Sequence, residues 1–228
     1  MYNKNIEDLQ MKNYDYILFD LDGTLTDSKP GIINCIRYAL DKHGIAYTDA
    51  ILDKMVGPPF RVSMKEFLGL DMPTIEELIV DYRGQYGAGG WRAISVYDGV
   101  FDMLKALKDA GKKLAVATSK PIKFTDIIVE ELGLKQYFDY VAGASADASK
   151  ESKADVINSA LANLGVTDKT RVLMVGDRLY DIVGAQESGV DVCAVLWGYG
   201  DQEEFEKYKA DYIMRTPKDV VSLVLKEK

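Results

Sequence analysis

The chain has 228 residues and a formal net charge of −8, with 36 acidic against 28 basic side chains. Its size fits one sizeable α/β domain or a core domain carrying a smaller insert. The negative balance opposes non-specific binding to DNA, RNA or an anionic membrane surface, which leaves small molecules or proteins as partners. No apolar stretch approaches the ~20 residues that span a bilayer. Residues 1–13 carry Glu7 and Asp8 and no apolar run, so they match neither a secretory signal nor a transit peptide, and a cytoplasmic protein is expected.

In chain order, residues 14–19 (YDYILF) read as a first buried strand. Residues 30–94 then carry no convincing strand. Helical patterns fill them at 31–43, 49–55, 60–68 and 74–86, the size of a small bundle, with a glycine-rich run at 87–90 read as part of a hinge. From 97–99 onward short apolar runs alternate with helical patterns. Strands are expected at 113–117 (KLAVA), 171–175 (RVLMV) and 191–196 (DVCAVL), with weaker ones at 139–142 and 211–214. Helices are expected at 100–110, 124–132, 153–164 and 181–188, and Gly111, Gly133, Gly165 and Gly189 stand where these end. The simplest solution is an α/β fold built on a mostly parallel sheet with helices on both faces. Cys35 and Cys193 match no metal spacing and read as two buried small hydrophobes.

In open parallel sheets, ligands bind beyond the carboxyl ends of the strands. The first strand ends in Asp20-Leu21-Asp22-Gly23-Thr24, the KLAVA strand in Thr118-Ser119-Lys120, and the RVLMV strand in Gly176-Asp177 with Asp181 a helical turn further on. Separate strands thus deliver polar or acidic groups to one edge. Clustered carboxylates repel one another unless a cation holds them, and all-oxygen ligation suits a hard divalent ion. Each group alone has a plainer reading: Asp177 as a turn residue, Asp181 as a helix cap, Thr118 and Ser119 as the cap of the next helix. Their shared position on the sheet raises them together.

These residues resemble the motifs of the haloacid-dehalogenase-like hydrolases. The run DLDGTLTDS at 20–28 resembles the first motif, Thr118-Ser119 the second, Lys153 at the start of the ADVI helix the third, and GDRLYD at 176–181 the fourth. The helical insert is similar to the mobile cap of the phosphoglycolate phosphatase-like branch. Within that branch VLWGYG at 195–200 and ATSKP at 117–121 look most like bacterial 5′-nucleotidases. The resemblance implies a Rossmann-like, doubly wound core at 14–29 and 95–228, a cap at 30–94 and an N-terminal extension at 1–13.

It also implies a Mg²⁺-dependent phosphatase for a small phosphorylated metabolite or nucleotide. Asp20 would be the nucleophile, and Asp22 the acid and base, holding a proton at working pH. Asp20 and Asp177 would ligate Mg²⁺ by their side chains and Asp22 by its backbone carbonyl, with Asp181 acting through a bound water or the loop. Thr118 and Ser119 would bind phosphoryl oxygens, Gly23 would allow a tight turn beside the phosphate, and Lys153 would tie nucleophile to phosphate. Lys150 and Lys120 compete for that lysine role. In the cap, Arg61 follows the rigid break Gly57-Pro58-Pro59-Phe60 and is read either as a substrate contact or as an exposed arginine after a turn. His43, the only histidine, reads as a helix-end residue.

Other functions compete. Asp22 speaks against a dehalogenase, and Ile32 and Ile33 stand where hexose-phosphate mutases carry a cap histidine. A phosphonate hydrolase would need a cap lysine such as Lys54 or Lys65. A catalytically silent binding protein on the same fold would be expected to lack Asp20, Asp22 or Asp177.

Overall fold

The protein is described by a computed structural model over residues 12–58, 60–145 and 152–226. The apolar runs become the strands of one parallel sheet: β1 (Tyr16–Phe19), β4 (Lys113–Pro121), β5 (Tyr140–Ala144), β6 (Val172–Gly176), β7 (Asp191–Val195) and β8 (Tyr212–Met214). Their spatial order is β5-β4-β1-β6-β7-β8, and every pairing is parallel. Every residue of β6 is buried, as expected of a strand covered on both faces. From β1 the chain builds outward through β4 and β5, then returns to β1's other flank and continues through β6, β7 and β8. The direction of winding therefore reverses beside β1, where a crevice forms at the carboxyl ends of an open sheet.

The connecting helices are α5 (Val100–Asp109), α6 (Ile122–Glu131), α7 (Lys153–Asn163), α8 (Leu179–Ser188), α9 (Gln202–Lys207) and α10 (Pro217–Leu225). α7 packs on α8, and α5 on α10. Val156, Ile157, Ala160 and Leu161 of α7 meet Leu18, Ala115 and Met174 of the sheet in one apolar cluster. The strand expected from residue 14 begins at Tyr16. Tyr14 is instead buried beside the first residues of β7 and β8, where its hydroxyl donates to Asp191 and contacts Tyr212.

The chain divides into two compact units, one made of residues up to Leu25 and from Val96, the other Thr26–Ser95. The cap expected from the sequence covers 30–94. The second unit contains α1 (Lys29–Lys42), α2 (Asp49–Met55), α3 (Phe60–Leu68) and α4 (Met72–Gly87). The short strands β2 (Thr26–Asp27) and β3 (Ser95–Val96) pair with each other. Ile36, Leu40, Leu52, Met64, Ile75 and Leu78 form the bundle's own core. The glycine run is packed into this unit: a Cβ on Gly90 would lie 2.5 Å from Cys35 Sγ and 2.8 Å from the Gln85 carbonyl oxygen. Cys35 on α1 and Cys193 on β7 are both buried, and burial pushes the Cys193 thiol pKa up. Among the described residues, no helix is long and apolar enough to cross a membrane.

Candidate active site

Asp20 is the first residue beyond β1, and its backbone N–H donates to the Val175 carbonyl of β6 at 2.9 Å. That bond fixes Asp20 level with the end of β6, so Asp177, two residues past Val175, reaches the same crevice. Asp20, Asp177 and Asp181 each offer a carboxylate oxygen, and all three atoms lie within 4.8 Å of one another.

A lysine enters this cluster from α7. Ser152 caps the helix by accepting the Asp155 N–H, and Asp155 accepts from the Ser152 backbone and hydroxyl, so Lys153 is held in the first turn. A cation at a helix N-terminus is disfavoured by the dipole. Here Lys153 Nζ is compensated by Asp20 Oδ1 at 2.6 Å and Asp181 Oδ1 at 2.7 Å. Gly184 of α8 makes room for its stem, since a Cβ there would lie 2.8 Å from Lys153 Cβ. Lys150, the rival for this role, lies outside the described residues. Burial by itself would lower the Lys153 pKa, but Asp181 and Asp20 outweigh it and the net shift is upward.

The carboxylates differ in what holds them. Asp181 spends Oδ2 on the N–H groups of Asp177 and Arg178, at 3.1 and 3.0 Å, and Oδ1 on Lys153. It therefore caps α8 and serves the site at once. Asp177 is fully buried; its Oδ1 accepts from the Thr24 hydroxyl at 3.0 Å and its Oδ2 from the Tyr199 N–H at 2.8 Å. Burial, together with Asp181 and Asp20, holds its pKa well above the carboxylate norm. Burial likewise pushes Asp20 up to about 6; Lys153 pulls against the rise, and Asp181 and Asp22 add to it. Buried Asp177 and half-buried Asp20, with raised pKa values and oxygen-only donors, fit a hard divalent cation, which would offset the burial cost and the repulsion that raise them. Three carboxylates, Asp20, Asp177 and Asp181, face one ammonium group, Lys153, which leaves a formal charge that one divalent ion would offset.

Gly23 has φ +86° and lies so close to the Asp177 carboxylate that no Cβ fits. Thr118 is buried in β4, where its regular pairing with β5 stops, and its Oγ1 accepts the Lys120 N–H at 3.3 Å; it does not cap α6. Ser119 next to it is exposed. Lys120 donates to Asp22 Oδ2 at 2.5 Å, so Lys153 and Lys120, two of the three lysines that competed for one role, occupy two places. Arg61 lies on α3 in the second unit, with its Nε and Nη2 on the Glu76 carboxylate at 2.6 and 3.0 Å. His43 ends α1 with Nε2 2.9 Å from Asp81 Oδ2 of α4.

The sequence gives no site role to the loop after β7. Trp197 donates its indole N–H to the Thr24 carbonyl at 2.9 Å, Tyr199 donates its backbone N–H to Asp177, and Gly198 packs against Gly23 and Asp177 too closely for a side chain. Glu204 of α9 accepts from Arg178 Nε at 3.0 Å and from the Leu179 N–H at 2.8 Å, bracing the loop that carries Asp177. The two glycines flanking Tyr199 were the available signal, because side-chain-free positions mark a close backbone approach.

The fold and this crevice define a hydrolase class. The sequence profile described as haloacid dehalogenase-like hydrolase matches residues 17–195, and the chain belongs to that family. Tyrosine-protein kinase PtkA of Mycobacterium tuberculosis is 42% identical over 207 residues, covering 90% of this chain and 67% of that protein. A 5′-nucleotidase of Pseudomonas aeruginosa is 34% identical over 197 residues, covering 86% of this chain and 89% of that one. Among solved structures, a Clostridium acetobutylicum protein described as a predicted phosphatase superposes with a TM-score of 0.87 at 39% identity. That match covers 94% of this chain and all of the other.

Proposed function

We propose that the protein is a Mg²⁺-dependent phosphatase that hydrolyses small phosphate monoesters through a phosphorylated Asp20. One observation carries the reading: Lys153 bridges Asp20 and Asp181 at the end of the central strand, beside buried Asp177. A nucleophilic carboxylate, a cation to hold a dianion against it and a set of metal donors thus meet at one point. Asp20 and Asp177, with the Asp22 backbone carbonyl, would hold Mg²⁺, and Asp181 would orient the loop. Bound there, the ion supplies charge neutralisation at the phosphoryl oxygens.

Asp20 attacks phosphorus in line and becomes an acyl phosphate as the ester oxygen leaves. Asp22 gives that oxygen a proton, then takes one from the water that cleaves the acyl phosphate. Lys153 and Thr118 hold the phosphoryl oxygens. The substrates expected are charged metabolites of the cytoplasm, where this reading places the enzyme.

The test is phosphate release from phosphoglycolate, 5′-nucleoside monophosphates, sugar phosphates and an aryl phosphate, with Mg²⁺ and with EDTA. Turnover is expected with Mg²⁺ only, and Asp20→Asn is expected to lower it by roughly 1000-fold or more. The best member of the panel separates a nucleotidase from a phosphoglycolate phosphatase. No release by the folded, metal-loaded protein would sink the reading and turn attention to phosphonates or a binding role.

A second reading rests on the 42% identity to a protein named as a tyrosine kinase. Phospho-Asp20 would then pass its group to a tyrosine hydroxyl in place of water. ATP labelled at the γ-phosphate separates the two, by label found in free phosphate or on tyrosine.

A further inference from the structure

Lys120 is a buried lysine outside the four motifs. Its side chain is 7% exposed, and Nζ donates to Asp22 Oδ2 at 2.5 Å. Lysine is almost never buried unless paired, and a buried pair adds little net stability because desolvation offsets the attraction. The pairing therefore asks for a reason other than stability.

The backbone around Lys120 is irregular in a way that aims the side chain. β4 pairs regularly with β5 as far as Thr118, and the register shifts between Thr118 and Pro121. Such a bulge breaks strand alternation and re-aims the residues within it. Neighbours hold the bulge in place. Thr118 Oγ1 accepts the Lys120 N–H, and the Thr125 hydroxyl donates to the carbonyls of Lys120 and Pro121 at 3.3 and 3.2 Å. Gly143 of β5 completes the fit, because a Cβ there would lie 2.9 Å from the Lys120 carbonyl and 2.8 Å from Ile122 Cα.

The second observation is on the carboxylate. Asp22 Oδ2 is taken by Lys120, while Oδ1 is buried and has no hydrogen-bond partner among the described residues. A buried acceptor without a partner is costly and rare, and one oxygen of an anchored carboxyl left in that state is available to a ligand.

We propose that Lys120 is the positioning residue of Asp22: it anchors Oδ2 so that Oδ1 is the oxygen that exchanges protons with the substrate. The inference rests on the phosphatase reading above. In the first step the Asp20–phosphorus bond forms, the bond to the leaving oxygen breaks, and the proton on Asp22 Oδ1 moves to that oxygen. In the second, water attacks phosphorus, its proton moves to Oδ1, and the bond between Asp20 and phosphorus breaks.

The leaving group tests this. kcat/KM reports events up to loss of the leaving group, and 4-nitrophenolate departs without a proton whereas a primary alkoxide does not. At fixed pH and saturating Mg²⁺, Lys120→Met should lower kcat/KM for a 5′-nucleoside monophosphate by roughly 10-fold to 100-fold. For 4-nitrophenyl phosphate the loss should stay below about 3-fold, and Lys120→Arg should recover most of the nucleotide activity. If Lys120→Met melts early, Lys120→Gln carries the same comparison. Equal losses on both esters would mean that Lys120 binds the phosphoryl group, and no loss on either would mean it does nothing; both overturn the proposal. A wild-type protein inactive on both esters would instead bring down the phosphatase reading itself.

Discussion

At the scale of single residues, the site is built against its own stability. Asp20 titrates near 6 in the folded chain against a usual value of 3.8, chiefly because burial disfavours its charge. Between those values the folded state holds a proton that the unfolded chain has released. Stability therefore falls as pH rises from about 4 to about 6 and stays lower above that window. Removing the charge should reverse the loss. Asp20→Asn is expected to raise the metal-free thermal midpoint at pH 7.5 by a few degrees, on the order of 1–3 kcal/mol, and the difference should fade toward pH 4. Mg²⁺ should raise the wild-type midpoint and leave the variant nearly unchanged. A metal-free variant less stable than wild type at pH 7.5 would mean that the contact with Lys153 outweighs the cost of burying the carboxylate.

The aspartates were legible because each follows a strand whose apolar run is itself legible. Lys120 was a candidate for the phosphate-binding lysine, but its pairing with Asp22 was not legible, because the register shift in β4 decides where its side chain goes, and that shift depends on the partner strand and on Gly143. Thr24 was equally hidden, since its hydroxyl matters only once folding brings Asp177 beside it from 153 residues away.

At the scale of elements, α7 shows how a local signal serves the site. Its capping box, Ser152 with Asp155, starts the helix at the residue that must reach Asp20. Ser152→Ala should cost about 1 kcal/mol of stability by urea titration. If the cap also sets the reach of Lys153, the KM for a phosphate ester should rise with it. A loss of stability with KM unchanged would confine the cap to folding. Boxes of this kind are readable, and the one at Thr216 with Asp219 was the missed signal for α10, whose run of valines looks more like a strand by propensity. α9 has one buried residue, Phe205, in six and so carries no period to find, while β2 and β3 at two residues each are too short to show alternation.

At the scale of the molecule, the chain carries separate apolar cores. One gathers α7, α8 and the sheet; the other gathers α1 to α4 in the inserted unit. A unit with its own core can open without the remainder, and the free energy of that opening is set by its own contacts. Leu78 is fully buried in the bundle core, beside Leu40, Leu52 and Ile75. Leu78→Ala removes three carbons from that core and should cost about 2–5 kcal/mol. The loss should fall on the inserted unit. Amide exchange in α1 and α4 should quicken by roughly 30-fold or more, since each 1.4 kcal/mol is a factor of ten, while amides of β1, β4 and β6 keep their protection. Uniform loss of protection across both sets would mean that the two units unfold as one. If the opening is local, metal binding by Asp20 and Asp177 should survive the substitution, because those carboxylates and the strands that carry them lie in the other unit.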